Sequence, residues 1–283
     1  MSYNQTLSRV ETYFDKTATK TWERLTSDAP VSRIRQTVRA GRDQMRAKLL
    51  SQLPNDLNGV RVLDAGCGVG QVTQTLAERG AQVTAIDISP SLIEIAQRRI
   101  PPSLHDQIEF VAGDMNNTAL GSFNYVLAMD SLIYYSQRDL ANVLDNLARR
   151  TSEHIVFTVA PKTSLLMMMW YAGKLAPRGD KSPTMVPHSP RSLARALGEG
   201  IALRDLGRIT SGFYISHALG FINDTTHAAP INKAYASNVA VRRCGQSRFT
   251  DWAVVAFVFV SGVCGSGECY AIGHPQPRHD CRT

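Results

Sequence analysis

A short apolar run ends in three closely spaced glycines at Val62-Leu63-Asp64-Ala65-Gly66-Cys67-Gly68-Val69-Gly70. This order predicts a strand that runs into a tight turn and then a helix. Gly66 and Gly68 tolerate positive φ and, lacking Cβ, let the backbone approach a ligand closely. Gly70 is expected to let the following helix pack against the strand. A second strand, Val83-Thr84-Ala85-Ile86-Asp87, closes on a carboxylate. Asp87 lies about 20 residues past the loop, where such a group can accept both hydroxyls of a ribose. The pocket then sits at the carboxyl ends of parallel strands. The spacing is G-x-G-x-G, however, with Gln71 where the third glycine of a dinucleotide fingerprint would fall. Asp64 would repel a pyrophosphate, so an uncharged or cationic nucleoside suits the turn better than NAD.

The rest of the chain alternates strands and helices. Strands are predicted at 60–64, 82–87, 108–111, 123–129 and 154–159. Helices follow at about 70–79, after Ser89-Pro90, and at about 137–149, with a last one at about 190–198. Ser89-Pro90 combines a capping hydroxyl with a proline at the first helical position. Such alternation specifies an α/β fold, a mostly parallel sheet with helices on both faces. Two further strands, 201–208 and 212–219, are joined through Thr210-Ser211-Gly212 and form a closing hairpin.

Two helices precede the sheet. Residues 6–25 carry Leu7, Val10, Phe14 and Leu25 near one face. Residues 32–53 carry Ile34, Val38, Met45, Leu49 and Leu53 on one face and Arg33, Arg35, Arg39, Arg42, Arg46 and Lys48 on the other. That basic side is either a solvated face or an anion-binding edge. Residues 161–187 interrupt the rhythm with the apolar run Leu165 to Tyr171, either core or a substrate wall in which Met167, Met168 and Trp170 present adaptable apolar surface. Residues 220–283 lack sustained periodicity, hold four of the five cysteines and read as a disordered extension. Their C-x4-C-x4-H-x4-H spacing matches no structural zinc pattern, so no protein-bound metal is expected.

The 283 residues carry a net charge of +7, which favours anionic partners. Aromatic-basic repeats and helix-turn-helix signals are missing, so nucleic acid is not the expected partner. The polar N-terminus has no signal-peptide pattern, and no run approaches the ~20 apolar residues of a spanning helix. A reducing, cytoplasmic setting is expected.

The D-A-G-C-G-x-G form followed by a strand ending in Asp resembles motif I of the class I S-adenosylmethionine-dependent methyltransferases. The segment Tyr13-Phe14-Asp15-Lys16-Thr17-Ala18-Thr19-Lys20-Thr21-Trp22-Glu23-Arg24-Leu25, with Pro30 to Arg35, is more specific. It is similar to the magnesium protoporphyrin IX O-methyltransferases, nearest to those of bacteriochlorophyll synthesis. Asp87 to Ile93, Met129 to Ile133, Phe157 to Thr163 and Ser211 to Ser216 match in the same order. The resemblance implies a Rossmann-like, seven-stranded sheet with an antiparallel last strand and an N-terminal helical cap over 1–58. The methyltransferase domain would span 59–219.

The implied reaction moves a methyl group from S-adenosylmethionine to a propionate of magnesium protoporphyrin IX, magnesium being part of the substrate. The implied roles follow. Asp64, Ala65, Gly66, Cys67, Gly68 and Gly70 form the cofactor loop. Asp87 holds the ribose and Ile88 packs on adenine. Asp114 and Met115 flank the adenine, and Met129, Asp130 and Ser131 lie near the methionine portion. Tyr13 closes over the sulfonium and Tyr134 orients the propionate, each with a packing role as the alternative. Chlorophyll-side members carry histidine where this chain has Tyr134, which argues against a histidine base. The implied partners are the porphyrin, the large porphyrin-binding subunit of magnesium chelatase and, peripherally, the photosynthetic inner membrane. Competing readings are a methyltransferase for another small acid or quinone precursor, and a noncatalytic pigment-delivery protein.

Overall fold

The computed structural model describes residues 2–19, 23, 26, 32–162, 167, 183–197 and 202–222. Of the apolar run expected to form a wall, only Met167 is described, and it is helical and half-buried. Met168, Trp170 and the tail from residue 223 lie outside the described residues.

Seven strands form one sheet in the order β3-β2-β1-β4-β5-β7-β6. They are β1 (Arg61–Ala65), β2 (Gln82–Asp87), β3 (Ile108–Ala112), β4 (Phe123–Ala128), β5 (Thr151–Val159), β6 (Arg204–Ser211) and β7 (Tyr214–Ile222). The first five are parallel, and β7 runs antiparallel between β5 and β6. The hairpin was expected in kind but is displaced. Its turn is Gly212-Phe213, with Ser211 paired to Tyr214, and β7 continues to Ile222. Gly212 takes φ +56°, and the positive φ it supplies sets the turn at that residue.

The strand order reverses between β1 and β4, so the crevice at their carboxyl ends is the natural ligand site. Alternation along each strand separates two cores. Val62 of β1 faces Met45, Leu49 and Leu76, whereas Leu63 faces Leu140, Leu144 and Phe157 on the other side.

Helix α1 (Tyr3–Tyr13) begins earlier than its apolar pattern suggested. A capping box sets the start: Ser2 Oγ accepts from Gln5 N, and the Ser2 N–H donates to the Gln5 side chain. At Phe14–Ala18 the backbone changes to a π-helical turn instead of continuing as α-helix. That turn carries Asp15, whose Oδ1 accepts from Ser89 Oγ, Ser91 N and Ser91 Oγ at 3.2, 3.1 and 2.6 Å. The N-terminal segment is thereby tied to the start of a helix behind the site.

The other helices follow their caps. Ser32 caps α2 (Arg33–Leu50), and the left-handed Gly70 opens α3 (Gln71–Glu78). Ser89, with Pro90 at the first position, caps α4 (Pro90–Arg99), and Ser136 caps α5 (Gln137–Ala148). Helix α6 spans Pro190–Leu197. Helix α2 lies on β7 at Gly41, where an added Cβ would meet the Tyr214 ring at 2.6 Å. That close approach places the neighbouring Arg42 at the end of β4.

Candidate active site

A cavity of about 980 Å³, open to solvent, lies at the carboxyl ends of β1, β2 and β4. Asp64, Gly66, Cys67, Gly68, Asp87, Ile88, Asp114, Met115, Met129, Asp130, Ser131 and Tyr134 all line it. Ala65, Gly70 and Tyr13 do not.

The glycines act differently from one another. Gly68 takes φ +55° and nothing lies within 4 Å of where its Cβ would be, so its bare backbone faces open space. Gly66 takes φ +85°, and its Cβ would fall 2.2 Å from Ser131 Cβ. The close approach it permits is therefore to the protein's own β4 loop, where Ser131 Oγ donates to Ala65 O at 2.7 Å. Gly70 was expected to relieve packing of its helix on the strand. Its Cβ would instead meet Ile100 Cδ1 at 2.8 Å and Ala96 Cβ at 3.1 Å, at the end of α4.

Three carboxylates occupy one side of the cavity. Asp87 Oδ2 accepts from Gly68 N at 2.9 Å and Oδ1 from Ser89 N at 3.0 Å. It pins the loop it faces and keeps lone pairs for a ligand. Burial pushes its carboxyl up, against the backbone bonds from Ser89, Gly68 and Ile88. Asp114 Oδ1 accepts from Asn116 N at 2.9 Å and from Tyr3 OH at 2.7 Å. Tyr3 stacks on Tyr135 with ring centroids 5.5 Å apart. Helix α1 thus reaches the Asp114 end of the cavity, a contact absent from the sequence reading.

Asp64 is the most deeply buried of the three. Its Oδ2 accepts from Thr73 Oγ1 at 2.6 Å, and burial raises its carboxyl to about 7, opposed by the Thr73 bond and aided by Asp87. A carboxyl in the unfolded chain titrates near 4. Below that pH both states hold the proton. Between about 4 and 7 the unfolded state loses it first, so stability falls as pH rises through this window. At about 1.4 kcal/mol per unit the span is on the order of 4 kcal/mol. Asp64→Asn is expected to flatten this part of the curve, measured by denaturant unfolding at several pH values. An unchanged slope would mean that Asp64 stays ionised in the fold.

The other side is organised by Asp130, at φ +56° the non-glycine residue with positive φ among those described. Its N–H donates to Thr158 Oγ1 at 2.7 Å, and Thr158 Oγ1 donates back to Oδ1 at 3.1 Å. Tyr214 OH donates to both carboxylate oxygens at 3.1 Å, and Ser216 Oγ to Oδ1 at 3.3 Å. Arg42 Nη1 lies 2.6 Å from Oδ2 in an ion pair whose side chains keep 16% and 10% of their surface exposed. Arg42 had been read as part of a basic side that was either a solvated face or an anion-binding edge, and here it pairs with Asp130.

Tyr134 sits in a short 3-10 turn, Leu132–Tyr134. Burial, with Tyr13 and Asp130 nearby, raises its phenol well above the usual range, so it stays protonated as a donor. Phe14 bridges the two tyrosines, edge-on to Tyr13 at 5.2 Å and to Tyr134 at 5.9 Å. Phe14 lines the cavity, whereas Tyr13 is buried behind it. Among the described residues no cluster of His, Cys, Asp or Glu is arranged to hold a metal, and no helix is long and apolar enough to cross a membrane.

Sheet order, closing hairpin and glycine loop define a class I methyltransferase fold, and a methyltransferase-domain model matches residues 62–154. A second model, described as magnesium-protoporphyrin IX methyltransferase C-terminus, matches residues 128–223. Magnesium-protoporphyrin O-methyltransferase of Rhodobacter capsulatus is 54% identical over 220 residues, 77% of this chain and 97% of that protein. The Synechocystis protein of the same name is 29% identical, over 74% of this chain and 93% of its own. The crystal structure of magnesium protoporphyrin IX methyltransferase from Synechocystis with bound SAH superposes with a TM-score of 0.65 at 28% identity. That superposition covers 77% of this chain and 99% of the other. The chain belongs to the magnesium-protoporphyrin O-methyltransferase family.

Proposed function

We propose that this protein transfers a methyl group from S-adenosylmethionine to a propionate carboxylate of magnesium protoporphyrin IX. The product is the monomethyl ester of bacteriochlorophyll synthesis. The observation that carries the reading is a match to the Rhodobacter capsulatus enzyme that runs through 97% of that protein's length, acceptor side as well as cofactor loop. The residues present fit the cofactor. Open space before Gly68 leaves room for a ligand against the backbone, and Asp64 and Asp87 suit a donor-rich, cationic nucleoside.

S-adenosylmethionine, when bound, supplies a methyl group activated by its sulfonium. The protein's part is placement and exclusion of water. Asp87 is placed to accept from ribose hydroxyls, with Ile88 beside the base. Asp114 and Met115 stand at the adenine end, and Met129, Asp130 and Ser131 at the methionine end. The Tyr134 phenol, kept protonated, would orient the acceptor carboxylate, with Tyr13 behind Phe14 supporting it. A propionate is already ionised at neutral pH, so no strong base is required. Met167, Met168 and Trp170 would form the porphyrin wall. Residues 1–58 act as cap, and residues from 59 to the end of β7 at Ile222 as the catalytic domain. The protein works in the cytoplasm, in peripheral contact with the membrane, and takes its porphyrin from the large chelatase subunit.

The test is a methyl-transfer assay with labelled S-adenosylmethionine, offering magnesium protoporphyrin IX and the metal-free porphyrin in parallel. Label in a monomethyl ester, greater with magnesium, is expected. Cofactor binding without transfer to either porphyrin would overturn the acceptor. Asp87→Ala is expected to weaken S-adenosylhomocysteine binding by about 10- to 100-fold, the loss of one or more hydrogen bonds to a charged group. Titration calorimetry reads this directly, and wild-type affinity would remove Asp87 from the ribose.

A further inference from the structure

The turn that carries Tyr134 is gripped from behind. A three-residue 3-10 turn such as Leu132–Tyr134 pairs few of its own carbonyls, and buried carbonyls must find donors elsewhere. Ile133 O accepts from Val186 N at 2.8 Å, and Tyr135 O accepts from His188 Nε2 at 3.1 Å. These two bonds bracket Tyr134. Tyr134 lines the cavity, whereas neither donor is among the cavity's described lining residues. His188 is almost completely buried, at 2% exposure. A carbonyl can only accept, so the imidazole proton sits on Nε2. Burial pushes the ring's pKa down, opposed by the bond to Tyr135, so at neutral pH the ring is uncharged and its one N–H is committed to this contact. The backbone of His188 is fixed as well. Its N–H donates to Ala160 O at 2.8 Å, its carbonyl accepts from Lys162 N at 3.0 Å, and it bridges Pro161 in parallel register. Residues 161–187 therefore leave the end of β5 and return beside it, and the residue at which they return also holds the Tyr134 turn.

We propose that His188 is the positioning residue for Tyr134. Its Nε2–H fixes Tyr135 O and hence the direction in which the Tyr134 phenol points, in register with the segment that would wall the porphyrin. The inference rests on the methyl-transfer reading, in which Tyr134 orients the acceptor carboxylate. A small displacement of the phenol spoils the alignment of carboxylate oxygen with the methyl group, so the role falls on turnover of the porphyrin. It does not fall on the cofactor, whose proposed contacts Asp87 and Asp114 follow β2 and β3 and are held by Gly68 N and Ser89 N, and by Tyr3 OH and Asn116 N.

The experiment uses the full chain as wild type, His188→Leu, His188→Gln and Tyr134→Phe, with each His188 change also combined with Tyr134→Phe. Leucine keeps the bulk and removes the donor, whereas the glutamine amide carries an N–H at a reach close to that of Nε2. Calorimetry measures S-adenosylhomocysteine, and steady-state assays give kcat and KM for magnesium protoporphyrin IX. His188→Leu is expected to lower kcat/KM by about 10- to 100-fold while S-adenosylhomocysteine affinity stays within about twofold of wild type. Glutamine is expected to restore most of the loss, and in the Tyr134→Phe background His188→Leu should cost little more. If His188→Leu does not bind S-adenosylhomocysteine, His188→Asn, a shorter amide, takes its place. Equal losses of cofactor affinity and turnover in both, a glutamine variant as poor as leucine, or an undiminished loss in the Tyr134→Phe background overturns the proposal. Wild-type kcat/KM in His188→Leu or in Tyr134→Phe does the same. Label transfer by the wild type is scored separately. Its absence removes the methyl-transfer reading and the role with it, whereas normal transfer with any of those outcomes leaves that reading standing and removes the positioning role.

Discussion

Asp130→Asn is expected to destabilise the fold by about 3 kcal/mol, because it leaves the Arg42 guanidinium without its counter-charge in a largely buried setting. For a domain of this size that lowers Tm by roughly 6–12 °C. Asparagine is the informative replacement. Asp130 holds φ +56°, a region asparagine enters readily, so the change removes charge without adding backbone strain. The side chain also accepts from Tyr214, Ser216 and Thr158, and an amide satisfies fewer of these donors. The second half of the cycle is Asp130→Asn with Arg42→Met. Removing both charges eliminates the orphaned cation, so the double variant is expected to recover part of the lost Tm. A single variant that melts with the wild type would show that the pair is solvated and contributes little.

Gly66→Ala is expected to be nearly as damaging, by two separable causes. A left-handed alanine costs about 1–2 kcal/mol. The collision of its Cβ with Ser131 Cβ, 2.2 Å away, adds an overpacking cost of about 1–3 kcal/mol. The loop escapes by moving off β4, and S-adenosylhomocysteine affinity falls with it. Adding Ser131→Gly removes the collision but leaves the backbone strain, so about half of the loss in Tm should return. Titration of the same variants reports whether cofactor affinity follows. No recovery in the double variant would mean that backbone conformation alone dictates glycine at this position. Full tolerance of alanine would place the loop differently.

Both predictions concern residues that look alike in sequence to residues with quite different work. Gly66 and Gly68 were legible as turn glycines, because positive φ is a local requirement, and Gly70 was read as a packing glycine. Which surface each approaches was not legible. Gly66 meets Ser131, Gly70 meets Ile100 and Ala96, and Gly68 meets open space. Asp87 was recognisable from its place at the end of a strand about 20 residues past the loop. Asp114, Asp130 and Ser131 were placed by resemblance, and they line the same cavity. The partners that orient them, Tyr3 from helix α1 and Arg42 from helix α2, lie 111 and 88 residues away in the chain. No periodicity within either helix encodes those distances.

The sequence by itself determined the succession of strands and helices, the glycine turn, the helix start at Ser89-Pro90, and the closing hairpin. Each of these depends on side-chain alternation, capping or allowed φ within a few residues. Only the tertiary structure decided that Arg42 of the basic face pairs with Asp130, and that Phe14 rather than Tyr13 faces the cavity. Those outcomes follow from which surfaces meet across the sheet, set by burial and charge pairing between segments far apart in the chain.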